Sequence, residues 1–195
     1  ELPWSEMNID NELTLQCTNP YLREIEWFLR SNIYKYRHMP ADMIVMPYIP
    51  VTKVIHSSGI GISVKENVLP SDKKNNIISH EYKDVLKTEE DLEKLHKPVL
   101  TYDKKKTNEN YNLVGEILGD VIPVKIKGKS FFPVKTWDDI STYRGVTNMF
   151  MDLVERPDFM HRMVRKMTDI KLSWLEQAEL LGLFDNDPYS LHCTP

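Results

Sequence analysis

The sequence feature that most constrains the fold of this chain is a long helix between two short strands. Residues 121–127 and 189–193 have the composition of strands. Between them, residues 157–181 repeat apolar side chains at intervals of three and four. Two strands joined by such a helical crossover are predicted to be parallel neighbours in an α/β sheet. Their C-terminal ends, residues 127–130 and 192–193, are the first places to look for chemistry.

The apolar stripe of this long helix is rich in methionine. Met163, Met167 and Ile170 recur at helical spacing, and Trp174 continues the same face. Crossover helices bury such a stripe against their sheet, so we predict core packing rather than contact with a cofactor. Gly182 is the residue at which the helix is predicted to end.

The composition argues against several classes of protein. The chain has 195 residues, 41% of them hydrophobic, which suits one domain with a sizeable core. Its 25 basic and 29 acidic residues are interspersed, a pattern that does not indicate a nucleic-acid interface. Because the sequence has no apolar run of about 18 residues and no signal-peptide pattern, we expect no membrane association and a cytoplasmic location. Cys17 and Cys193 provide no disulfide framework, so reduced thiols are expected.

Helices and strands alternate along the rest of the chain. Asn19 opens a helix that reaches about residue 37, and Thr88 begins a short helix with an acid at its third position, close to a capping box. Residues 54–64 predict a β-hairpin that turns at 57–59, and a strand at 76–80 is expected to pair with it. The other predicted elements are a strand at 42–46, a helix from Asp103 to Gly119, and helices that begin at Thr136 and Val146.

Three segments of the chain resemble the uroporphyrinogen decarboxylase superfamily in their order and spacing. They are residues 86–95, 118–124 and 155–162, and residues 39–44 resemble the second strand of that family. The resemblance covers about residues 38–193. It implies a (β/α)₈ TIM barrel, whose members include a lyase, the decarboxylase of haem synthesis, and methyltransferases that work with corrinoid proteins.

The resemblance also implies that this α/β chain is an incomplete barrel. Such a barrel needs about 250 residues, whereas this chain supplies three to four strands. We therefore expect a single domain in which residues 1–38 form an N-terminal segment and helix and residues 39–195 form barrel strands and helices, with the hairpin at 54–64 as an excursion. The rest of the barrel is expected to be missing, since the chain lacks an initial methionine and ends directly after a predicted strand.

The chain departs from the decarboxylases at two places. Their N-terminal arginine-bearing motif has no counterpart before Asp42, and their Phe-Ser-Asp is replaced by Pro47-Tyr48-Ile49. The resemblance therefore favours corrinoid-linked methyl transfer, or a related one-carbon reaction, over porphyrinogen decarboxylation. The substrate would be a small molecule or a corrinoid protein, and a homodimer is compatible with this hypothesis. The alternative is a non-catalytic barrel that binds a tetrapyrrole or corrinoid partner.

His192 and Cys193 are the candidate metal ligands. Zinc methyltransferases related to this family use a His-x-Cys pair with a later cysteine, so the resemblance implies zinc as a cofactor. Here the two residues are adjacent, and adjacent strand residues point to opposite faces unless the strand has already turned. The alternative is that His192 acts alone as a catalytic acid, base or polar contact while Cys193 is buried.

Lysines alternate along the strand at 121–127 and its exit. Lys125, Lys127 and Lys129 make one face basic, which is unusual for a buried strand. Either Lys127 or Lys129 meets an anionic substrate, with Ser130 on the same rim, or the strand end is solvated.

Three further side chains are candidate substrate contacts. Tyr48 either hydrogen-bonds a ligand or plugs the barrel. His56 either overhangs the barrel mouth or lies on the surface. Arg144 either reaches an acidic group of the substrate or pairs on the surface.

Overall fold

Helices alternate with short strands along the chain in a computed structural model that describes residues 4, 7–39, 45–70, 78–130, 132 and 134–185. After a short 3₁₀ turn at Ile9–Asn11, the helices are α1 (Pro20–His38), α2 (Glu89–Glu93), α3 (Lys104–Leu118), α4 (Thr136–Arg144), α5 (Val146–Glu155) and α6 (Pro157–Leu180). The strands are β1 (Ile49–Thr52), β2 (Val54–Ser57), β3 (Lys65–Pro70), β4 (Ile78–Lys83), β5 (Leu100–Asp103) and β6 (Val124–Lys127). The fold is therefore mixed α/β.

The six strands pair two by two. β1 and β6 are parallel, whereas β2 pairs with β5 and β3 pairs with β4 in antiparallel register. A further parallel bridge joins Lys129 to Phe184. Within the described residues the chain divides into two units, of which the first holds α1, β1, α3 and β6 and the second holds the other elements from β2 onward.

The first unit is built around the parallel β1–β6 pair. Ile49 and Val51 of β1 are fully buried against Ile25 of α1 and Val114 of α3. The predicted start of α1 is confirmed, since the Asn19 side chain accepts hydrogen bonds from the first backbone N–H groups of the helix. One apolar face of the strand pair is thus covered by helices.

The second unit has α6 along its main core. Met163 and Met167 are buried with Leu86, Leu92 and Ile140, so the predicted core role of the methionine stripe is confirmed. The capping box of α2 is also present, because Thr88 and Asp91 exchange side-chain and backbone hydrogen bonds.

A glycine permits the close approach of two backbone segments in this unit. A Cβ atom on Gly128 would lie 2.3 Å from the Leu183 carbonyl oxygen, which is closer than non-bonded atoms approach. The predicted helix stop is confirmed as well: Gly182 has a φ of +61°, a conformation that other residues rarely adopt. These two glycines allow the chain that leaves α6 to run parallel to residue 129.

The predicted hairpin at residues 54–64 is wrong. β2 ends at Ser57 and pairs with β5, and residues 60–64 form no strand. The strand predicted at 76–80 lies at Ile78–Lys83 and pairs with β3 instead. The predicted turn at 57–59 is also wrong, because Ser58 and Ile60 continue the backbone hydrogen bonding with Val99 and His96. A local turn signal cannot show which distant segment offers a free strand edge.

Other boundaries moved or fall outside the described residues. β6 begins at Val124 rather than 121, because residues 119–121 form a turn after α3. α4 begins at Thr136 as predicted, and its N-cap residue Lys135 makes no side-chain cap hydrogen bond. The predicted strand at 189–193, and most of the one at 42–46, lie outside the described residues. No helix in the described part of the chain is long and apolar enough to cross a membrane.

Glu26 of α1 gives the stability of the first unit a pH dependence. Its carboxylate accepts hydrogen bonds from the backbone N–H groups of Cys17 and Gln16 and from Arg30, which lowers its pKa from 4.5 to about 2. A lowered pKa stabilises the fold above pH 4.5, and this contribution is lost as the pH falls from 4.5 toward about 2. We expect Glu26→Gln to be less stable than the unchanged protein at neutral pH, by a margin that shrinks across that window.

Urea unfolding followed by circular dichroism between pH 2 and pH 7 measures this margin. Glu24→Gln, an exposed substitution on the same helix, is the matched control and is expected to leave the pH profile unchanged. A margin for Glu26→Gln that stays constant with pH would contradict the assignment.

Candidate functional site

The candidate site is one face of the parallel strand pair in the first unit. Residues opposite each other in a parallel pair point to the same side of the sheet. Ile49 opposite Val124 belongs to the apolar side that α1 and α3 cover. Pro50 opposite Lys125 therefore belongs to the other side, as does Thr52 opposite Lys127. The alternation of lysines in the sequence thus becomes one basic face of β6.

Tyr48 is the centre of this face. The residue precedes β1 and only 4% of its surface is exposed. The Lys125 Nζ lies 4.5 Å from the centroid of the Tyr48 ring, and the Lys127 Nζ lies 5.1 Å from the same centroid. These distances are typical of cation–π contacts, in which the electron-rich ring face attracts an ammonium group. We call Tyr48, Lys125 and Lys127 the basic strand face.

The basic strand face is suited to binding an anion. The ammonium groups of the exposed Lys125 and the half-buried Lys127 also repel each other, because like charges that approach one ring lie close together. A carboxylate, phosphate or sulfonate beside both groups would relieve this repulsion and form charge-assisted hydrogen bonds. Lys127 is the last residue of β6, so this charge lies at the C-terminal end of a parallel strand.

The predicted site residues Lys129 and Ser130 belong to the second unit. The Lys129 Nζ lies 5.8 Å from the centroid of the Trp174 ring, and the Lys129 backbone bonds to Leu183 and Asp185. Ser130 is half-buried and follows that bridge. Lys129 is thus part of an aromatic contact on α6, and its backbone holds the parallel bridge.

His56 and Arg144 have carboxylate partners in the second unit. His56 is exposed on β2, with its Nε2 atom 3.6 Å from Asp103 Oδ2. Arg144 is buried at the end of α4, where it donates to Asp152 Oδ2 at 2.7 Å and pairs with Asp84. Burial alone would lower the pKa of the guanidinium, but the hydrogen bond that it donates to Asp152 and the negative charges of Asp84 and Asp152 outweigh burial and raise the pKa. The Arg144 side chain therefore serves a buried ion-pair network.

The predicted metal ligands His192 and Cys193 lie outside the described residues. Within the described ranges, no group of three histidine, cysteine, aspartate or glutamate side chains is arranged to hold a metal ion. Zinc, and the acid–base role of His192, therefore stay predictions.

Lys125 is a site residue that is missing from the sequence-based prediction, although it belongs to the visible alternation of lysines. The predicted substrate contacts lie at the strand's exit, at Lys127 and Lys129, whereas the β1–β6 register joins Lys125 to Lys127 around Tyr48. The signal that could have identified Lys125 was its two-residue spacing from Lys127, which places both on one face of a strand.

Comparison with known proteins returns no relative: no family model, curated protein or solved structure matches this chain. The function proposed below rests on the residues of the chain and on the resemblance of its segments.

Proposed function

We propose that this chain is part of a (β/α)₈ barrel of the uroporphyrinogen decarboxylase type, and that the barrel catalyses corrinoid-linked methyl transfer or a related one-carbon reaction on an anionic substrate. In the first unit, a parallel strand pair with helices on one face supports a barrel. In the second unit, the helical segment from Lys129 to Phe184 returns to a parallel bridge, which is the connection that successive barrel strands have.

The observation that carries the proposal is the basic strand face. In a (β/α)₈ barrel the helices lie outside, so the sheet face away from the helices is the interior. That interior is normally filled by branched apolar side chains, whereas the face of β6 away from the helices carries Lys125 and Lys127 around the buried Tyr48. Apolar packing does not account for two lysines in this position, and an anionic substrate would give them a role.

The choice of methyl transfer follows from what replaces the decarboxylase motif. Tyr48 lies in the segment that replaces the decarboxylase Phe-Ser-Asp, and none of Pro47, Tyr48 and Ile49 supplies the carboxylate that faces the pyrrole nitrogens there. In corrinoid-linked transfer, the methyl group passes from cobalt to a deprotonated nucleophile, and the electron pair of the carbon–cobalt bond stays with the corrinoid. Lys125 and Lys127 would bind and orient the anionic group of the acceptor, while His192 takes up its proton.

The experiment uses free methylcobalamin and two thiols that differ in one group. Mercaptoethanesulfonate carries an anionic sulfonate, and mercaptoethanol carries a neutral hydroxyl. We expect cobalt demethylation, followed by absorbance, with a KM for the sulfonate about tenfold below that for the neutral thiol, because a bond to a charged group is worth roughly 1.5–3 kcal/mol. Lys125→Gln and Lys127→Gln are each expected to remove most of this difference.

Lys105→Gln is the matched control, since Lys105 is exposed on α3 of the same unit. It is expected to leave both KM values unchanged. Uroporphyrin I, a polycarboxylate tetrapyrrole, provides the second probe by fluorescence titration. Binding of uroporphyrin or methylcobalamin that depends on Lys125 and Lys127, without methyl transfer, would favour the non-catalytic barrel. Binding and transfer that are both indifferent to these lysines would overturn the proposal.

A further inference from the structure

Helix α5 of the second unit presents an exposed apolar face. Val146, Phe150 and Val154 recur every four residues, so they form one stripe along the helix. Met151 and Leu153 flank this stripe, and the five residues are between 43% and 83% exposed. Contiguous apolar patches on a protein surface commonly mark interaction sites, whereas single exposed apolar residues do not. The face is therefore a candidate interaction surface, and we call it the α5 face.

The opposite side of α5 is anchored in the second unit. Met149 is buried in the main core of that unit, and the buried Asp152 accepts a hydrogen bond from Arg144. The helix also packs against α4 and α6. These contacts fix the rotation of α5 about its own axis, and this rotation turns the α5 face outward.

The charges of α5 indicate what kind of surface fits the α5 face. Within α5, all of which the structure describes, Asp152 is bound to Arg144 and Glu155 is the exposed acidic residue at the last position. The helix contains no lysine or arginine, the residues with which surface helices contact acidic lipids. An uncharged apolar face suits another apolar protein surface, and two copies of it would bring no like charges together.

The stripe of the α5 face is symmetric about Phe150. Val146 lies four residues before Phe150, and Val154 lies four residues after it. In an antiparallel pair of α5 helices with a two-fold axis at Phe150, the two Phe150 rings meet, and Val146 of each copy packs on Val154 of the other. A two-fold interface requires such a surface, because both copies contribute the same patch.

The two ends of α5 are complementary in the same arrangement. The N-terminus of α5, after Gly145, has no side-chain cap, and Glu155 is exposed at the C-terminus. In the antiparallel pair, Glu155 of each copy lies near the N-terminus of the other helix. The helix dipole and the terminal backbone N–H groups attract a carboxylate there. Each end of the pair therefore gains a favourable electrostatic contact.

The size of the α5 face determines how strong the pairing can be. Its five apolar side chains expose on the order of 400 Å². At the apolar share of about 65% that homodimer interfaces have, this area is the core of an interface of roughly 600 Å² per copy, at the small end of specific interfaces. We propose that the chain forms a reversible two-fold dimer through antiparallel α5 helices, with Phe150 on the axis. Such a small interface is expected to dissociate in the micromolar range.

This inference does not depend on the proposed methyl transfer. α5 belongs to the second unit, whereas the basic strand face consists of residues of the first. Failure of the thiol experiments would leave the dimer untouched, and a monomeric protein would leave the methyl transfer untouched.

Analytical ultracentrifugation of the unchanged protein between about 1 and 200 µM tests for the expected monomer–dimer equilibrium. Phe150→Asp is expected to weaken the dimer at least about thirtyfold, because it removes the central aromatic anchor and places two carboxylates on the axis. Leu172→Asp, at a half-exposed apolar position on α6, is the matched control and is expected to dimerise as the unchanged protein does. Circular dichroism verifies that each variant is folded.

A charge exchange tests the position of the axis. Phe150→Lys alone is expected to dimerise as weakly as Phe150→Asp, whereas an equal mixture of the two variants is expected to regain dimer, because an ammonium group then meets a carboxylate across the axis. A dimer that Phe150→Asp and Leu172→Asp weaken equally would overturn the proposal. An unchanged protein that stays monomeric at every concentration would also overturn it, would assign the α5 face to a different partner, and does not require any variant to fold.

Discussion

Replacing Arg144 with methionine is expected to lower the free energy of unfolding by about 3–5 kcal/mol, the cost of removing one partner from a buried ion pair. Arg144 is 8% exposed and is bonded to Asp152 and Asp84, whose side chains are 4% and 15% exposed. Without the guanidinium, two carboxylates would remain close together in the second unit. Urea unfolding at pH 7, followed by circular dichroism, measures the loss.

The exposed Arg162–Glu89 pair provides the matched control. Both side chains are about half exposed, so Arg162→Met is expected to change stability little. A double variant, Arg144→Met with Asp152→Asn, should recover part of the loss, because one of the stranded charges is removed. If Arg144→Met cost no more than Arg162→Met, the Arg144 network would not stabilise the fold as described.

Replacing Met163 with alanine is expected to lower the free energy of unfolding by about 2–5 kcal/mol. Met163 is fully buried on α6 and packs in the core that contains Leu86, Leu92 and Ile140. Truncation would remove apolar contact and leave a cavity, since close-packed neighbours relax only partly. The same urea titration measures this change.

Leu172→Ala on the same helix is the control that separates the loss of core packing from the change in helix propensity. Leu172 is 50% exposed, so its truncation leaves no internal cavity and is expected to cost much less. Similar losses for Met163→Ala and Leu172→Ala would contradict the placement of the methionine stripe in the core.

The helices could be predicted because their signals are local. The Asn19 cap, the Thr88 capping box and the apolar stripe of α6 each involve residues within a few positions of one another. Short-range hydrogen bonds and the 3.6-residue period determine such elements wherever the segment finally packs. Each helix begins within one residue of its predicted start.

The strand pairings could not be predicted from local signals. The turn residues at 57–59 predicted a hairpin with the following segment, but the partner of β2 is β5, more than 40 positions away. Backbone N–H and C=O groups are identical in every strand, so pairing depends on which edges the packed helices leave available. Register then decides which side chains share a face.

The candidate site shows the same division. The two-residue spacing of the lysines is enough to make one face of β6 basic, so the basic face could be predicted from the sequence. Only the β1–β6 register brought Lys125 and Lys127 to Tyr48, while Lys129 contacts Trp174. The burial of Arg144 could not be predicted, because a charged residue between two short helices has no sequence signal that it will be buried.

By itself, the sequence determined the helices, their caps, the buried methionine stripe and the basic alternation of β6, because each depends on a short-range period or hydrogen bond. Tertiary structure alone decided the β2–β5 pairing, the burial of Arg144 and the contact of Asp139 with Lys171. Asp139 and Lys171 lie on different helices, and no periodicity relates them. Long-range contacts depend on how whole elements pack, and a residue's neighbours in sequence carry no record of that packing.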